Sequence, residues 1–169
     1  MIVLVGGVAG SGKTTVGRLL ADQLHWPFID ADVFHPSANI AKMRSGIPLT
    51  DADRGPWLAG IARWMDERIA AGESAVAGCS ALKQSYRDEL LNGRPTARLA
   101  FLVISYELSH TRCAVRHGHF FSANLVESQF AELEPPEESA QVILLDALES
   151  PDRLAAEITR RLGLVADPA

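Results

Sequence analysis

Long hydrophobic runs, cysteine pairs, internal repeats and an excess of positive charge are all missing from this 169-residue sequence. No apolar run approaches the ~20 residues that a membrane-spanning helix needs. The opening Met1-Ile2-Val3-Leu4-Val5 carries no basic residue and runs straight into glycine, which argues against a signal peptide. The cytoplasm is therefore the expected compartment, with no membrane partner. The two cysteines, Cys79 and Cys113, stand singly in apolar surroundings, so both read as reduced core thiols rather than a disulfide or a metal site. The formal net charge is −5, so no global positive field draws the chain to nucleic acid. An anionic ligand has to be captured by a local cluster of donors.

Apolar material is ample: 47% of the residues are hydrophobic, enough for a buried core without staples, and the length favours one domain spanning 1–169. Strand and helix patterns alternate. Ile2 to Gly6 is a short apolar run bounded by glycine, as in a buried parallel strand. Val16, Leu19, Leu20 and Leu24 then recur at helical spacing. Phe28-Ile29 leads a second strand ending in Asp30-Ala31-Asp32, followed by a helix around Asn39 to Ser45 and a polar connection from Pro48 to Pro56. Leu58, Ile61, Met65 and Ile69 place an amphipathic helix over Trp57 to Ala71. Strands are expected at Ser74–Cys79, Leu99–Ile104 and Val142–Leu145, with helices near Gln84–Leu91, Tyr106–Arg116 and Pro151–Leu162, the last capped by Ser150. The expected fold is α/β, with a five-stranded parallel sheet, helices on both faces in three layers, and ligands at the carboxyl ends of the strands. Residues 116–136, with Gly118, paired phenylalanines and Pro135-Pro136, break the rhythm and suit a mobile lid.

Gly7-x4-Gly12-Lys13-Thr14 matches the Walker A pattern, between an expected strand and an expected helix. Glycines let backbone N–H groups turn toward phosphate oxygens, and the helix N-terminus adds a favourable dipole. Gly7, Gly10, Ser11, Gly12, Lys13, Thr14 and Thr15 are thus candidate ATP-binding residues, with Lys13 bridging the β- and γ-phosphates and Thr14 on Mg²⁺. The loop identifies a phosphate donor and leaves the acceptor open. Asp30 and Asp32 are two apart, so on an extended strand both would face the γ-phosphate, one serving Mg²⁺ and the other an attacking hydroxyl. No Walker B aspartate closes the Ser74–Cys79 strand, which leaves Thr14 and Asp30 as the metal candidates.

Several blocks go further. Phe28-Ile29-Asp30-Ala31-Asp32-Val33-Phe34-His35-Pro36, Asp53-Arg54-Gly55-Pro56-Trp57-Leu58, Cys79-Ser80-Ala81-Leu82-Lys83-Gln84, Arg116-His117-Gly118-His119-Phe120-Phe121 and Ser128-Gln129-Phe130 closely resemble the gluconokinase family of small P-loop kinases. The resemblance spans nearly the whole chain. Shikimate kinases share the loop and the Asp-x-Asp pair but have no counterpart to the second and third blocks. The resemblance implies an adenylate-kinase-like fold and transfer from ATP to D-gluconate, giving 6-phosphogluconate. It implies that Asp32 orients or deprotonates the sugar hydroxyl and that Asp30 sits in the Mg²⁺ shell. It also implies that Lys83 and Arg87 converge on the carboxylate, that Arg54 and His35 touch substrate, that Arg112 stacks on adenine, and that Arg116 reaches the transferring phosphoryl group. A homodimer is a further expectation from relatives. The alternatives are a kinase for another small hydroxy acid such as shikimate, or a non-catalytic ATP-binding switch.

Overall fold

The computed structural model describes residues 1–115 and 123–164, the side chains of 123–125 excepted. Five parallel strands form one sheet: β1 (Ile2–Gly6), β2 (Phe28–Asp30), β3 (Ala75–Gly78), β4 (Ala97–Val103) and β5 (Val142–Asp146), in the order β2-β3-β1-β4-β5. The helices are α1 (Lys13–Leu24), α2 (Ser37–Arg44), α3 (Asp51–Ala70), α4 (Gln84–Leu91), α5 (Tyr106–Val115), α6 (Ala123–Glu132) and α7 (Pro151–Arg161). A short 3-10 helix, Ala31–Phe34, follows β2. None of the described helices is long and apolar enough to cross a membrane.

The two-residue period of the strands divides the core. On the central strand β1, Ile2 and Leu4 face a cluster with Leu99, Phe101, Trp57, Ile61, Met65 and Leu90, beneath α3 and α4. Val3 and Val5 face the other side, against Val16, Leu20, Leu154 and Ile158 of α1 and α7. Ile2, Val3, Leu4 and Val5 are all fully buried, which explains why the strand reads as an unbroken apolar run rather than an alternating one. Successive strands step from β1 over β3 to β2, and later to β4 on the opposite side, so the crevice opens at the carboxyl end of β1. That edge carries residues 7–12 and the Asp30 turn.

Most expected elements lie within a residue or two of their observed bounds, but α3 differs. It begins at Asp51 rather than Trp57, so most of the expected polar connection is helical. The cause is local. Thr50 accepts from the Asp53 N–H while the Asp53 carboxylate accepts from the Thr50 N–H, a reciprocal cap that starts the helix ahead of Pro56. The trailing part of the expected lid, 123–132, is the helix α6, and its Val126 is fully buried.

Candidate active site

The loop between β1 and α1 is shaped by two glycines with positive φ that no side chain can replace. A Cβ on Gly7 (φ 132°) would fall 2.7 Å from the Leu102 carbonyl oxygen, and one on Gly10 (φ 74°) would fall 2.8 Å from that of Ser109. Helix α5 braces the loop from behind. The fully buried Ser109 hydroxyl donates to the Ala9 carbonyl at 2.7 Å, and Arg112 reaches the Gly10 and Ala147 carbonyls at 3.4 and 3.0 Å. Gly12 caps α1 with no side-chain acceptor, and the first turn holds no acidic residue, so the helix N-terminus is left for an anion. Lys13 Nζ donates to the Val8 carbonyl at 2.9 Å. Burial pulls its ammonium pKa down, and the carboxylates of Asp32 and Asp30 oppose that. Ser11 Oγ is buried with no hydrogen-bond partner, an orphaned hydroxyl inside a phosphate cradle.

A cavity of about 440 Å³ begins at this loop. Lys13, Thr14 and Thr15 line its donor end, Asp30 and Asp32 its middle, and His35, Arg54, Trp57 and Tyr86 its far wall. Asp30 and Asp32 come together differently from the strand-based expectation. The strand ends at Asp30, and Asp32 sits in the 3-10 turn, where its N–H donates to Asp30 Oδ1 at 3.2 Å. Capping, rather than the strand period, aims both acids at the cavity. Thr14 Oγ1 donates to Asp30 Oδ2 at 3.1 Å, so a hydroxyl and a carboxylate already adjoin where Mg²⁺ would need them. That oxygen pair suits a hard ion whose remaining ligands are waters and phosphate oxygens. Desolvation and the neighbouring Asp30 raise the Asp32 pKa while Lys13 lowers it, and the 62% of the side chain open to water moderates all three effects.

The far wall is a network. His35 stacks on Trp57, ring centroids 4.7 Å apart and 7° from parallel, and its Nε2 lies 3.8 Å from Asp32 Oδ1. Burial, then the Arg54 charge, holds its pKa down at about 4, so the ring is neutral at physiological pH. Trp57 Nε1–H donates to the Ala31 carbonyl at 2.8 Å, fixing the acidic turn against α3. Arg54 donates to the Tyr86 hydroxyl at 3.1 Å and lies 2.7 Å from Glu132 of α6. Lys83 and Tyr86 both bond Asp51, Lys83 at 2.6 Å, and these bonds hold the Asp51 carboxyl below its ordinary pKa. Nearby, Lys42 pairs with Asp53 at 2.7 Å, and the buried Asn39 donates to the Asp53 carbonyl at 2.7 Å, so both fasten α2 to α3.

Two expectations are corrected here, at Lys83 with Arg87 and at Cys113. Lys83 and Arg87 do not converge on a common anion. Arg87 is 2% exposed and spends its guanidinium on the Ala81 and Leu82 carbonyls, at 3.1 and 2.8 Å, and on Gln84 at 3.0 Å. It supports the turn at Ala81, whose φ is +45°, and does not line the cavity. Cys79 is buried, which pushes its thiol up to about 12, whereas Cys113 is only partly buried and lines the cavity rather than the core. Arg112 lines a smaller recess of about 180 Å³ with Ala147, Glu149 and Pro151, beside the loop. Arg116 lies outside the described residues. Tyr86, Gln129 and Glu132 were not singled out from sequence. Their roles depend on contacts 120 residues away for Gln129 and 32 for Tyr86, which no local pattern records.

Known proteins resemble this chain along most of its length. A family profile described as shikimate kinase matches residues 9–47, the loop and the acidic turn. The chain is 43% identical over 158 residues to a gluconokinase of Gluconobacter oxydans, covering 94% of this chain and 89% of that protein. Among solved structures, a sugar kinase from Janibacter superposes with a TM-score of 0.90 at 44% identity, over 98% of this chain and 95% of that one. A gluconokinase from Sinorhizobium meliloti gives 0.84 at 40% identity, over 98% and 93%.

Proposed function

The chain belongs to the gluconokinase family, and from that premise we propose that it transfers the γ-phosphate of ATP to the terminal hydroxyl of D-gluconate, forming 6-phosphogluconate. The observation that carries the reading is the single cavity in which loop residues Lys13 and Thr14 face Arg54 and Tyr86 across Asp30 and Asp32. The loop amides and Lys13 would hold the β- and γ-phosphates. Thr14 and Asp30 would hold Mg²⁺, which when bound spreads the charge of the phosphate oxygens. Asp32 would accept a hydrogen bond from the attacking hydroxyl and set it in line with the phosphoryl group. In a loose transition state that positioning matters more than full deprotonation. His35, neutral beside Asp32, would turn its one N–H, on Nε2, toward that carboxylate, with Nδ1 facing the Asn39 amide at 3.4 Å. Arg54 is the cavity-lining cation best placed to meet the gluconate carboxylate, with Lys83 behind it through Asp51. Arg112 would flank the base. Residues 116–136 would serve as the lid, bringing Arg116 to the transferring group and excluding water.

The test is a coupled assay with ATP, Mg²⁺ and a panel of acceptors that includes gluconate, other sugar acids and shikimate. Gluconate should exceed every other acceptor in kcat/KM by at least about 100-fold, because an acceptor of the wrong shape disturbs the paired groups of the polar wall without replacing their hydrogen bonds. No turnover on gluconate with clear turnover on another acceptor would sink the substrate assignment.

A further inference from the structure

Helix α6 touches both halves of the cavity from one face. Gln129 and Glu132 are three residues apart and emerge on the same side. Gln129 Oε1 accepts the backbone N–H of Ala9 at 2.7 Å. Only the oxygen of an amide side chain can meet an N–H, so its orientation is fixed. Glu132 Oε2 lies 2.7 Å from Arg54 Nη2 on the acceptor wall. The peptide unit between Val8 and Ala9 links the two sides. Its carbonyl accepts from Lys13 Nζ at 2.9 Å, while its N–H, antiparallel to the carbonyl in a trans peptide, goes to Gln129. One peptide plane is therefore held between the lysine that serves the terminal phosphates and the helix that holds the acceptor-side arginine.

Loop N–H groups are the donors for phosphate oxygens, and the lysine marks the β–γ end of the chain of phosphates. A γ-phosphate oxygen drawn to Lys13 competes with Gln129 for the Ala9 N–H. A β-phosphate held by the turn nearer the uncapped α1 N-terminus would leave that bond alone. The charged acceptor wins the exchange, because charge-assisted hydrogen bonds are roughly twice as strong as neutral ones.

We propose that Gln129 is a positioning residue that yields the Ala9 N–H to the γ-phosphate, so that α6, through Glu132 and Arg54, tells the acceptor site whether the nucleotide is a triphosphate. The proposal rests on the reading of the loop as an ATP site and not on the identity of the acceptor hydroxyl. It assigns discrimination between ATP and ADP to a side chain outside the phosphate loop.

The experiment titrates the full chain with ADP and with a non-hydrolysable ATP analogue, each with Mg²⁺, for the wild type, Gln129→Met and Gln129→Glu. Methionine keeps the shape and removes the competing acceptor, so the analogue should bind about five-fold tighter, the worth of one net hydrogen bond. Glutamate holds the N–H more strongly and repels the γ-phosphate, so the analogue should bind at least about ten-fold weaker. ADP affinity should stay within about two-fold of wild type in both variants, which also verifies their folding. A second arm measures gluconate binding with ADP and with the analogue. The wild type should distinguish the two nucleotides, and Gln129→Met should not. Shifts of equal size and sign for both nucleotides, or a gluconate response to the γ-phosphate that persists unchanged in Gln129→Met, overturn the proposal. Normal nucleotide discrimination by Gln129 alongside absent gluconate turnover would fail the substrate reading alone.

Discussion

His35 should make the stability of this protein depend on pH in a way that can be computed beforehand. Its side chain is 5% exposed, stacked on Trp57, and faces both the Asp32 carboxylate and the Arg54 guanidinium. Desolvation and the arginine outweigh the acidic neighbours, and the pKa falls from 6.5 to about 4. Between those two values the unfolded chain binds the proton and the folded chain does not, so stability rises with pH through this window and is lost as pH falls. Below the folded pKa both states are protonated and the loss levels off. Integrating the linkage from pH 7 down to pH 4.5 gives about 2 kcal/mol from this one ring. Replacing it by His35→Phe keeps an aromatic face on Trp57 and removes the titration. Urea unfolding of both proteins at half-unit steps from pH 7.5 to 4.5 isolates the term, because other groups titrate in both. The wild type should lose about 2 kcal/mol more than the variant over the range, with most of the divergence below pH 6.5. Stability curves that run parallel, or a His35 ring titrating near 6.5 by NMR, would refute the claim that burial beats the nearby carboxylates.

Two further outcomes separate chemistry from support. Asp32→Asn should lower kcat by at least about 100-fold, the low end for a residue that accepts or aligns a reacting proton, while ATP affinity changes little. Near-normal turnover would remove Asp32 from any essential role. Arg87→Met should destabilise the fold by about 2–4 kcal/mol, because it strands the Ala81 and Leu82 carbonyls in a buried turn. If the variant remains folded at low temperature, its gluconate KM should rise far less than that of Arg54→Met. A KM effect as large as that of Arg54→Met, without a stability loss, would restore Arg87 to the substrate contacts.

The legibility of the sequence follows the range of the interactions. The phosphate loop is a contiguous motif whose residues act through their own backbone, so Gly7 to Thr14 could be read directly. The strands were legible because burial on both faces leaves apolar runs such as Ile2 to Val5. The onset of α3 was hidden because a proline six residues in outweighed the Thr50–Asp53 cap, although the cap is itself a local pattern. A strand and a capped 3-10 turn can both present residues two apart to one cavity, so spacing alone marks Asp30 and Asp32 as a pair without revealing the turn that aims them.

The acceptor wall was the least legible part, and its wiring bears directly on specificity. From composition, Lys83, Arg87 and Arg54 are equivalent basic residues near a helix start. In the fold, one serves a buried turn, one is paired with Asp51, and one lines the cavity between Glu132 and Tyr86. A carboxylate arriving at Arg54 does not meet a bare charge. It exchanges with, or adds to, a pair already formed, so the net gain in Coulomb energy is small and the hydrogen-bond geometry decides which anions are kept. Such a wall selects for the position of hydroxyls and carboxylate along the acceptor more than for negative charge itself. An acid of the same charge and the wrong length would disturb the Arg54–Glu132 and Tyr86–Asp51 contacts without replacing their geometry. That penalty makes rejection of the wrong acceptor steeper than attraction of the right one.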